Sequence, residues 1–213
     1  LDIASKQGEF VYAVYKKFGK DVANKFYSIP TSKIAYEFTR KVYKLLELDV
    51  KLIEASYTSY DLISENKFIE KETIKINNKK MKFNVIVGNP PYQQSDGGAQ
   101  ASAKPIYNLF VDVAKQLSPS NIAMIMPTRW FAGGRGLNEF RDQMLNDTHI
   151  SELHDFLKPE LIFQNINLRG GICYFLWDKG YDNSTDLTKV FTYKDDLTPK
   201  MIERSLKTDD FDI

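Results

Sequence analysis

The stretch Phe83-Asn-Val-Ile-Val-Gly-Asn-Pro-Pro-Tyr92 decides the kind of fold that this chain adopts. Its first half is a short apolar run that predicts a buried β-strand, and Asn89-Pro90-Pro91-Tyr92 follows the run as a stiff turn. Amphipathic segments with helical spacing alternate with further short apolar runs on both sides. Strands that alternate with helices predict an α/β fold with a mostly parallel sheet and helices on both of its faces.

The spacing of apolar residues also predicts the neighbouring elements. Before the central strand, we expect strands over residues 26–29 and 50–53 and an exposed, hairpin-like excursion from Lys67 to Met81. Thr31 is the predicted N-cap of a helix between these strands. The inward face of that helix is predicted to carry Ile34, Phe38, Val42, Leu45 and Leu46. After the central strand, further strands are predicted over residues 122–126, 149–156 and 172–177.

The tetrapeptide from Asn89 to Tyr92 has the properties of a pocket for an amine. Asn89 offers a side-chain carbonyl, and the two prolines stiffen the loop and leave their own carbonyls available. Two acceptors aimed at one NH2 group would hold it and draw its lone pair out of conjugation, ready to attack an electrophilic methyl group. Tyr92 adds a face on which a planar base can stack. The alternative is a simple turn after a strand, but the flanking strand and tyrosine favour the functional interpretation.

Residues 83–92 resemble the catalytic motif of the adenine-specific DNA methyltransferases of restriction–modification systems. The stretch Leu1-Asp-Ile-Ala-Ser-Lys-Gln-Gly-Glu-Phe10 is similar to the cofactor motif of that family. The resemblance covers about residues 1–180. It implies a Rossmann-like, S-adenosylmethionine-dependent methyltransferase fold with an antiparallel last strand. It also implies that the protein transfers a methyl group to the amine of a flipped adenine.

The resemblance also implies roles for individual residues. These are Asn89, Pro90, Pro91 and Tyr92 in catalysis, Asp2, Ala4, Gly8, Phe10 and Asp61 in cofactor binding, and Phe163 against the flipped base. Asp61 as an exposed loop residue and Phe163 as a core aromatic remain alternatives. The stretch from Phe163 to Lys179 resembles the branch that fuses methylase and restriction activity, which implies double-stranded DNA and a restriction nuclease domain or subunit as partners.

Two departures from the family pattern keep other functions open. Lys6 replaces a glycine that normally lets the backbone approach the methionine part of the cofactor, so its side chain can crowd that pocket or contact the cofactor carboxylate. The second strand also lacks the acid that should bind the ribose hydroxyls. A catalytically decayed, methylase-like DNA-binding module is therefore one alternative. A protein glutamine methyltransferase is another, because an amide NH2 has a similar geometry.

The charge of the chain is nearly balanced, with 29 Lys+Arg against 28 Asp+Glu. DNA binding must therefore come from local patches, for which Arg129, Arg135, Arg141 and Arg169 are candidates, or from parts of the protein outside this chain. Arginines on a solvated face are the commoner case.

The cysteine content and the domain organisation complete the expectations. One cysteine and two histidines exclude an internal disulfide, argue against a metal site and suit a reducing cytoplasm. No apolar stretch is long enough to span a membrane. We expect an N-terminally truncated methyltransferase domain over residues 1–180. Residues 181–213 are expected to form a linker and the start of a target-recognition region.

Overall fold

The computed structural model describes residues 1–94, 104–163, 170–182, 184 and 187–207. The chain forms two compact units. The first unit consists of Leu1–Pro90 and Leu109–Pro119, and the second of Pro91–Asn108 and Ser120–Ile213. None of the helices in the described ranges has the length and the apolar character that crossing a membrane requires.

The first unit combines short strands with amphipathic helices. Its strands are β1 (Asp2–Ser5), β2 (Ser28–Pro30), β3 (Ile69–Glu70), β4 (Thr73–Ile76), β5 (Lys79–Met81) and β6 (Val85–Gly88). Its helices are α1 (Glu9–Phe18), α2 (Lys20–Ala23), α3 (Lys33–Leu45) and α4 (Ser59–Ser64). Helix α5 (Tyr107–Gln116) begins in the second unit and continues in the first.

Strand β1 is the middle strand of a parallel sheet with the order β2-β1-β6. Asp2 pairs with Ser28 on one side and with Val87 on the other. Because all three strands run in the same direction, their carboxyl ends lie at one edge of the sheet, which is where α/β folds bind their ligands. The loop after β1 and the residue Asn89 after β6 both begin at this edge.

The buried face of α3 differs from the predicted one. Ile34 and Leu45, which were expected inside, are 71% and 82% exposed, and Phe38 is exposed as well. The buried residues are Ala35, Thr39 and Tyr43, which form a second stripe at four-residue spacing. Helical periodicity does not choose between two such stripes; polar partners in the core do.

Those partners are specific. Thr39 shares a hydrogen bond of 3.1 Å with Ser5 of β1, and the Tyr43 hydroxyl donates to the Phe26 carbonyl at 2.8 Å. At the start of α3, the N-cap is Ser32 and not Thr31, because the Ser32 side chain accepts a hydrogen bond from the Ala35 N–H.

Other predictions in the first unit had mixed outcomes. The predicted hairpin is confirmed as β4–β5, and Asn77 and Asn78 take positive φ angles of 46° and 66° at its turn, a conformation that asparagine tolerates. The expectation that residues 67–81 are exposed was wrong, because β3 adds a third strand and Ile74 and Ile76 are buried. The prediction of a strand over residues 50–53 was wrong in its first part, because Val50–Leu52 forms a 3-10 turn. The Lys51 N–H of this turn donates to the Asp49 carboxylate. Only Ile53 bridges to Ser28.

The Tyr43 hydroxyl offers a direct test of this core. We expect Tyr43→Phe to lower the free energy of unfolding by about 1–2 kcal/mol, because it leaves the Phe26 carbonyl without its buried donor. Urea unfolding followed by circular dichroism measures the change. Tyr12→Phe is the matched control, since Tyr12 is 51% exposed on α1 and should show no effect. Equal effects of the two substitutions would contradict the assignment of Tyr43 to the core.

The second unit is built on a mixed sheet. Its strands are β7 (Asn121–Pro127), β8 (Ile150–Phe156), β9 (Ile172–Asp178), β10 (Thr188–Tyr193) and β11 (Lys200–Arg204), in the order β11-β10-β8-β9-β7. Strand β9 is antiparallel to both of its neighbours, which confirms the predicted antiparallel strand. Helix α6 (Asn138–Asn146) and the 3-10 turns Thr128–Phe131 and Pro159–Leu161 complete the unit.

Strands β10 and β11 lie within the range expected to be a linker and the start of a target-recognition region. Strand β10 pairs in parallel with β8, and β11 pairs antiparallel with β10, so both extend the sheet of the second unit. Residues 183, 185, 186 and 208–213 of this range lie outside the described residues. The domain assignment of residues 181–213 stays a prediction.

Candidate active site

Asn89 directly follows β6 and presents an unsatisfied acceptor. Its side-chain oxygen Oδ1 is buried and has no hydrogen-bond partner among the residues that the structure describes. A buried acceptor without a donor is unfavourable, so native proteins rarely keep one unless a ligand or a water satisfies it. The adjacent Pro90 is buried and the Pro91 ring is half-buried, which agrees with a stiff loop. The boundary between the two compact units falls between these two prolines.

Tyr92 belongs to the second unit and is half-buried. Burial raises the pKa of its hydroxyl far above the ordinary value, so this hydroxyl stays neutral. The backbone carbonyl of Tyr92 accepts a hydrogen bond from the Ile106 N–H at 3.3 Å, which ties the motif to the residues before α5. The phenol ring is therefore held as an uncharged aromatic surface.

The free thiol of Cys173 in the second unit has no catalytic character. Cys173 is fully buried on β9, and the Trp130 indole N–H donates to its sulfur at 3.4 Å. Burial is the main cause that raises the pKa of this thiol well above its ordinary range. Because the thiolate is the nucleophilic form, Cys173 is a core residue.

Asp2 is the first residue of β1 and pairs with Val87 of β6, two residues before Asn89. It is 1% exposed, and its Oδ1 accepts a hydrogen bond from the Ala4 N–H at 3.1 Å. Burial raises its pKa to about 7, against smaller opposing contributions that include the Ala4 hydrogen bond. Ala4 is also buried, so both of these predicted cofactor-binding residues are enclosed within the first unit.

The loop after β1 contains Lys6 and Gly8. Lys6 is half-buried; burial lowers its pKa, and the nearby carboxylates of Glu9 and Asp2 act in the opposite direction. Gly8 is the N-cap of α1 with φ 77°, and a Cβ atom there would lie 3.2 Å from Val42 Cβ. Glycine is therefore required for the close packing of this loop on α3. Phe10, in the first turn of α1, is half-buried.

A cavity of about 380 Å³ opens in the first unit at the carboxyl end of β2. Its lining combines the end of β2, the first turns of α3 and the segment leading to α4, with Pro30, Ser32, Tyr36, Glu37, Glu54, Tyr57 and Asp61 among its residues. Sites for small organic molecules commonly measure about 300–1,000 Å³. The cavity therefore has the size and the place of a small-molecule site.

Three carboxylates line this cavity, and two are occupied by the protein itself. Glu54 is buried and accepts hydrogen bonds from the Ser56 N–H at 2.6 Å and the Asn77 N–H at 2.5 Å. Glu37 forms an ion pair with Arg40 at 2.6 Å. These two carboxylates are held by their partners within the chain.

Asp61 is the third carboxylate. Its Oδ2 accepts two hydrogen bonds from Thr58 at 2.8 Å, which form a capping box at the start of α4. Its Oδ1 receives no hydrogen bond from the described part of the chain. Asp61 therefore combines a structural role with one carboxylate oxygen that remains available to a ligand. The sequence analysis predicted Asp61 as a cofactor-binding residue but missed the other lining residues. The only signal that could have found them was the end of the strand β2, where ligands of α/β folds bind.

The remaining candidates lie in the second unit. Phe163 is half-buried, and its N–H donates to the Pro159 carbonyl at 2.9 Å. Residues 164–169, which include the candidate Arg169, lie outside the described residues. Arg129 is exposed, whereas Arg141 donates to the Phe131 carbonyl at 2.6 Å. Within the described ranges, no three His, Cys, Asp or Glu side chains are grouped so that they could hold a metal ion.

Comparison with known proteins gives a consistent set of relatives. The Eco57I restriction-modification methylase family matches residues 24–163. An uncharacterized adenine-specific methylase of Mycoplasma pneumoniae is 35% identical over 139 residues, which are 64% of this chain and 33% of that protein. The type II methyltransferase M.PstI of Providencia stuartii is 27% identical over 190 residues, 81% of this chain and 38% of the relative. This chain thus spans between a third and two fifths of these curated relatives.

Solved structures share the fold at low sequence identity. The methyltransferase subunit of a type I restriction-modification system from Streptococcus thermophilus has a TM-score of 0.58 at 14% identity, over 90% of this chain and 41% of that one. The DrdV–DNA complex has a TM-score of 0.56 at 13% identity, over 99% and 26%. A class I S-adenosylmethionine-dependent methyltransferase structure from Listeria monocytogenes has a TM-score of 0.54 at 12% identity, over 90% and 57%. The predicted fold class is confirmed.

The family match covers well over half of the chain and includes the strand β6 with its Asn-Pro-Pro-Tyr turn. It agrees with the relatives in sequence and with the fold of the solved structures, and it confirms the resemblance found in the sequence. The chain belongs to the Eco57I restriction-modification methylase family.

Proposed function

We propose that this chain carries the catalytic part of an adenine-specific DNA methyltransferase of a restriction–modification system. The reaction transfers a methyl group from S-adenosylmethionine to the exocyclic amine of an adenine that has been flipped out of duplex DNA. The observation that carries the proposal is the buried, unsatisfied Oδ1 of Asn89 at the end of β6, in a member of this methylase family. Its position beside the carboxyl end of β1 supports the same conclusion.

Asn89 and Pro90 would act on the amine of the base. The Asn89 Oδ1 accepts one amine N–H, and the Pro90 carbonyl, which belongs to a residue without an N–H of its own, accepts the second. Held in this way, the nitrogen directs its lone pair away from the ring and toward the bound cofactor, which supplies an electrophilic methyl group. The neutral Tyr92 ring provides the stacking surface, and we retain Phe163 as its counterpart on the other face of the base.

The cavity of the first unit is suited to S-adenosylmethionine in its size, its position and its chemistry. The cavity of about 380 Å³ at the end of β2 can take the nucleoside, with Asp61 Oδ1 available to its hydroxyl or amine donors. Asp2, Ala4, Gly8 and Phe10 form the loop and strand end that would hold the methionine part. The half-buried Lys6 ammonium complements the cofactor carboxylate. Asp61 thus replaces the missing acid at the end of β2.

Asp61→Asn is expected to weaken S-adenosylmethionine binding about tenfold with little loss of stability. The amide oxygen can still accept the Thr58 N–H, so the cap of α4 is kept, while the anionic oxygen that faces the cavity is lost. Isothermal titration calorimetry and thermal unfolding measure the two quantities. Thr58→Ala is the converse control, because it removes the capping hydroxyl and should lower stability by about 1 kcal/mol. Unchanged affinity in Asp61→Asn would remove Asp61 from the cofactor site.

Duplex DNA is the proposed partner, and a restriction nuclease domain or subunit is a further one. One of the solved structures that share the fold was determined as a complex with DNA. Because the charge is nearly balanced, 29 against 28, the contacts to DNA would come from local basic patches or from parts of the protein outside this chain. We retain a cytoplasmic location as part of the proposal, on the evidence of the single cysteine.

The proposal is tested by identifying the methyl acceptor. The protein is incubated with labelled S-adenosylmethionine and with either duplex DNA or a mixture of proteins, and the products are digested and analysed by mass spectrometry. We expect N6-methyladenine from the DNA and no methylated glutamine. Methylglutamine without methyladenine would identify a protein methyltransferase. S-adenosylmethionine binding without any transfer, or no binding at all, would support the decayed DNA-binding module.

A further inference from the structure

A second cavity, of about 350 Å³, lies in the second unit at the carboxyl ends of β7 and β8. Its lining consists of Thr128, Arg129, Phe131, Ala132, Asp155, Leu157 and Gly171. Asp155 is 1% exposed, whereas Arg129 and Leu157 are exposed. The cavity therefore has a buried acid and an exposed cationic rim.

Asp155 is an exceptional residue in this unit. Both of its carboxylate oxygens are buried and have no hydrogen-bond partner among the described residues. Its register partner on β9 is Cys173, and none of Cys173, Thr128 and Arg129 donates a hydrogen bond to its carboxylate. Two acceptors without donors on a buried acid are costly, so an acid in this state that lines a cavity is a candidate for binding a ligand.

The close packing around Asp155 shows that the cavity is built rather than incidental. Gly171, which precedes β9, lies so near the end of β8 that a Cβ atom would be 2.7 Å from the Phe156 carbonyl oxygen and 3.1 Å from the Thr128 hydroxyl. The Thr128 N–H also donates to the Gly171 carbonyl at 3.0 Å. The two strand ends are therefore held in a fixed arrangement around the acid.

The lining selects a particular chemistry. A carboxylate pairs with an amine on the edge of a base, as acidic side chains do with the N4 amine of cytosine. An exposed arginine suits a phosphate group, and Phe131 and Leu157 offer apolar contacts for a planar ring. An acid, an arginine and apolar walls together match a nucleotide whose base carries an exocyclic amine.

We propose that this cavity is a subsite for one deoxycytidine nucleotide of the DNA, with Asp155 accepting an N–H of the N4 amine and Arg129 contacting the phosphate. The subsite rests on the proposed function in that the nucleotide belongs to the DNA substrate. It extends that function by assigning a base-reading role to Asp155, separate from the amine site at Asn89.

The test uses two mononucleotides that differ at one position. dCMP carries an amine at position 4 of the pyrimidine, and dUMP carries a carbonyl oxygen there. The protein is labelled with ¹³C at the aspartate carboxyl carbons, and the Asp155 signal, assigned with Asp155→Asn, is followed at pH 8 during titration with each nucleotide. We expect dCMP to shift the signal and to bind at least about tenfold more tightly than dUMP, since dUMP brings an acceptor against a carboxylate.

Variants separate the two contacts. Arg129→Gln should weaken dCMP binding but leave deoxycytidine, which has no phosphate, unchanged. Asp155→Asn should remove the preference for dCMP over dUMP, and in DNA methylation it should raise KM for DNA while kcat is kept. Asp142→Asn on α6 is the matched control, because Asp142 is exposed and lies outside the cavity. Asn89→Ala should leave the Asp155 signal and its response to dCMP unchanged.

The outcomes distinguish this subsite from the proposed function. If the Asp155 signal does not respond to dCMP, or responds equally to dCMP and dUMP, the subsite is refuted even where DNA is methylated normally. If dCMP binds selectively but neither the wild type nor any variant methylates DNA, the subsite stands and the proposed activity fails. Methylation of DNA with an unchanged KM in Asp155→Asn would show that Asp155 reads no base in the substrate.

Discussion

Asn89→Ala is expected to slow methyl transfer to DNA by at least about a hundredfold. The substitution removes the buried Oδ1 acceptor, so the amine of the flipped base loses the contact that holds its nitrogen in line with the methyl group. Losing one preorganised polar contact in an active site typically lowers the rate by about 10²–10³-fold. Transfer of labelled methyl from S-adenosylmethionine to duplex DNA under single-turnover conditions measures the effect on the chemical step.

Two further substitutions sharpen this result. Asn89→Asp keeps an oxygen acceptor at the same place, so it should retain more activity than Asn89→Ala. Asn84→Ala makes the same change five residues earlier, where the side chain is exposed, and should leave the rate unaltered. Equal activity of the wild type and Asn89→Ala would exclude Asn89 from the reaction. Similar losses in Asn84→Ala would point to damage to β6 instead.

Asp155→Asn should change how stability depends on pH. Burial raises the pKa of Asp155 to about 6, above its ordinary value of 3.8. Between these two values the folded protein holds a proton that the unfolded chain has released, so the free energy of unfolding falls as pH rises from about 4 to about 6. The full fall reaches about 3 kcal/mol, since each pKa unit corresponds to about 1.36 kcal/mol. Asparagine does not titrate, and the variant should lack this component.

The measurement is a series of urea unfolding curves from pH 4 to pH 8 for the wild type and the variant. Asp2, whose pKa is also raised by burial, to about 7, contributes a fall of the same sign to both proteins, so the difference between the two isolates Asp155. We expect the variant to gain stability relative to the wild type as pH rises from about 4 to about 6, with a constant difference at higher pH. Asp142→Asn, at an exposed position, should run parallel to the wild type. A constant difference between wild type and Asp155→Asn over the whole series would show that the acid is not held neutral by burial.

The candidate site residues are divided between the two compact units. Asn89, the proposed acceptor for the base amine, and Asp61 belong to the same compact unit as the proposed cofactor-binding residues 2–10. Asp155 and its cavity belong to the other. Loss of transfer in Asn89→Ala with intact S-adenosylmethionine binding would therefore separate chemistry from cofactor affinity within a single unit.

The sequence by itself determined the α/β class, the strand β6 with its Asn-Pro-Pro-Tyr turn and the family. These features depend on local properties: an apolar run predicts a buried strand, prolines stiffen a turn, and a motif is read in consecutive residues. The hairpin after residue 67 was predicted for the same reason, whereas the antiparallel direction of β9 was implied by the family resemblance.

Only the tertiary structure decided which residues meet. Asp2 and Val87, far apart in the sequence, pair side by side, and this brings the cofactor motif to the same sheet edge as Asn89. The buried stripe of α3 was selected by its polar partners Ser5 and the Phe26 carbonyl, which no helical period reveals. The unsatisfied oxygens of Asp155 were equally invisible, because whether a buried acid has a donor depends on neighbouring strands and not on its own position in the sequence.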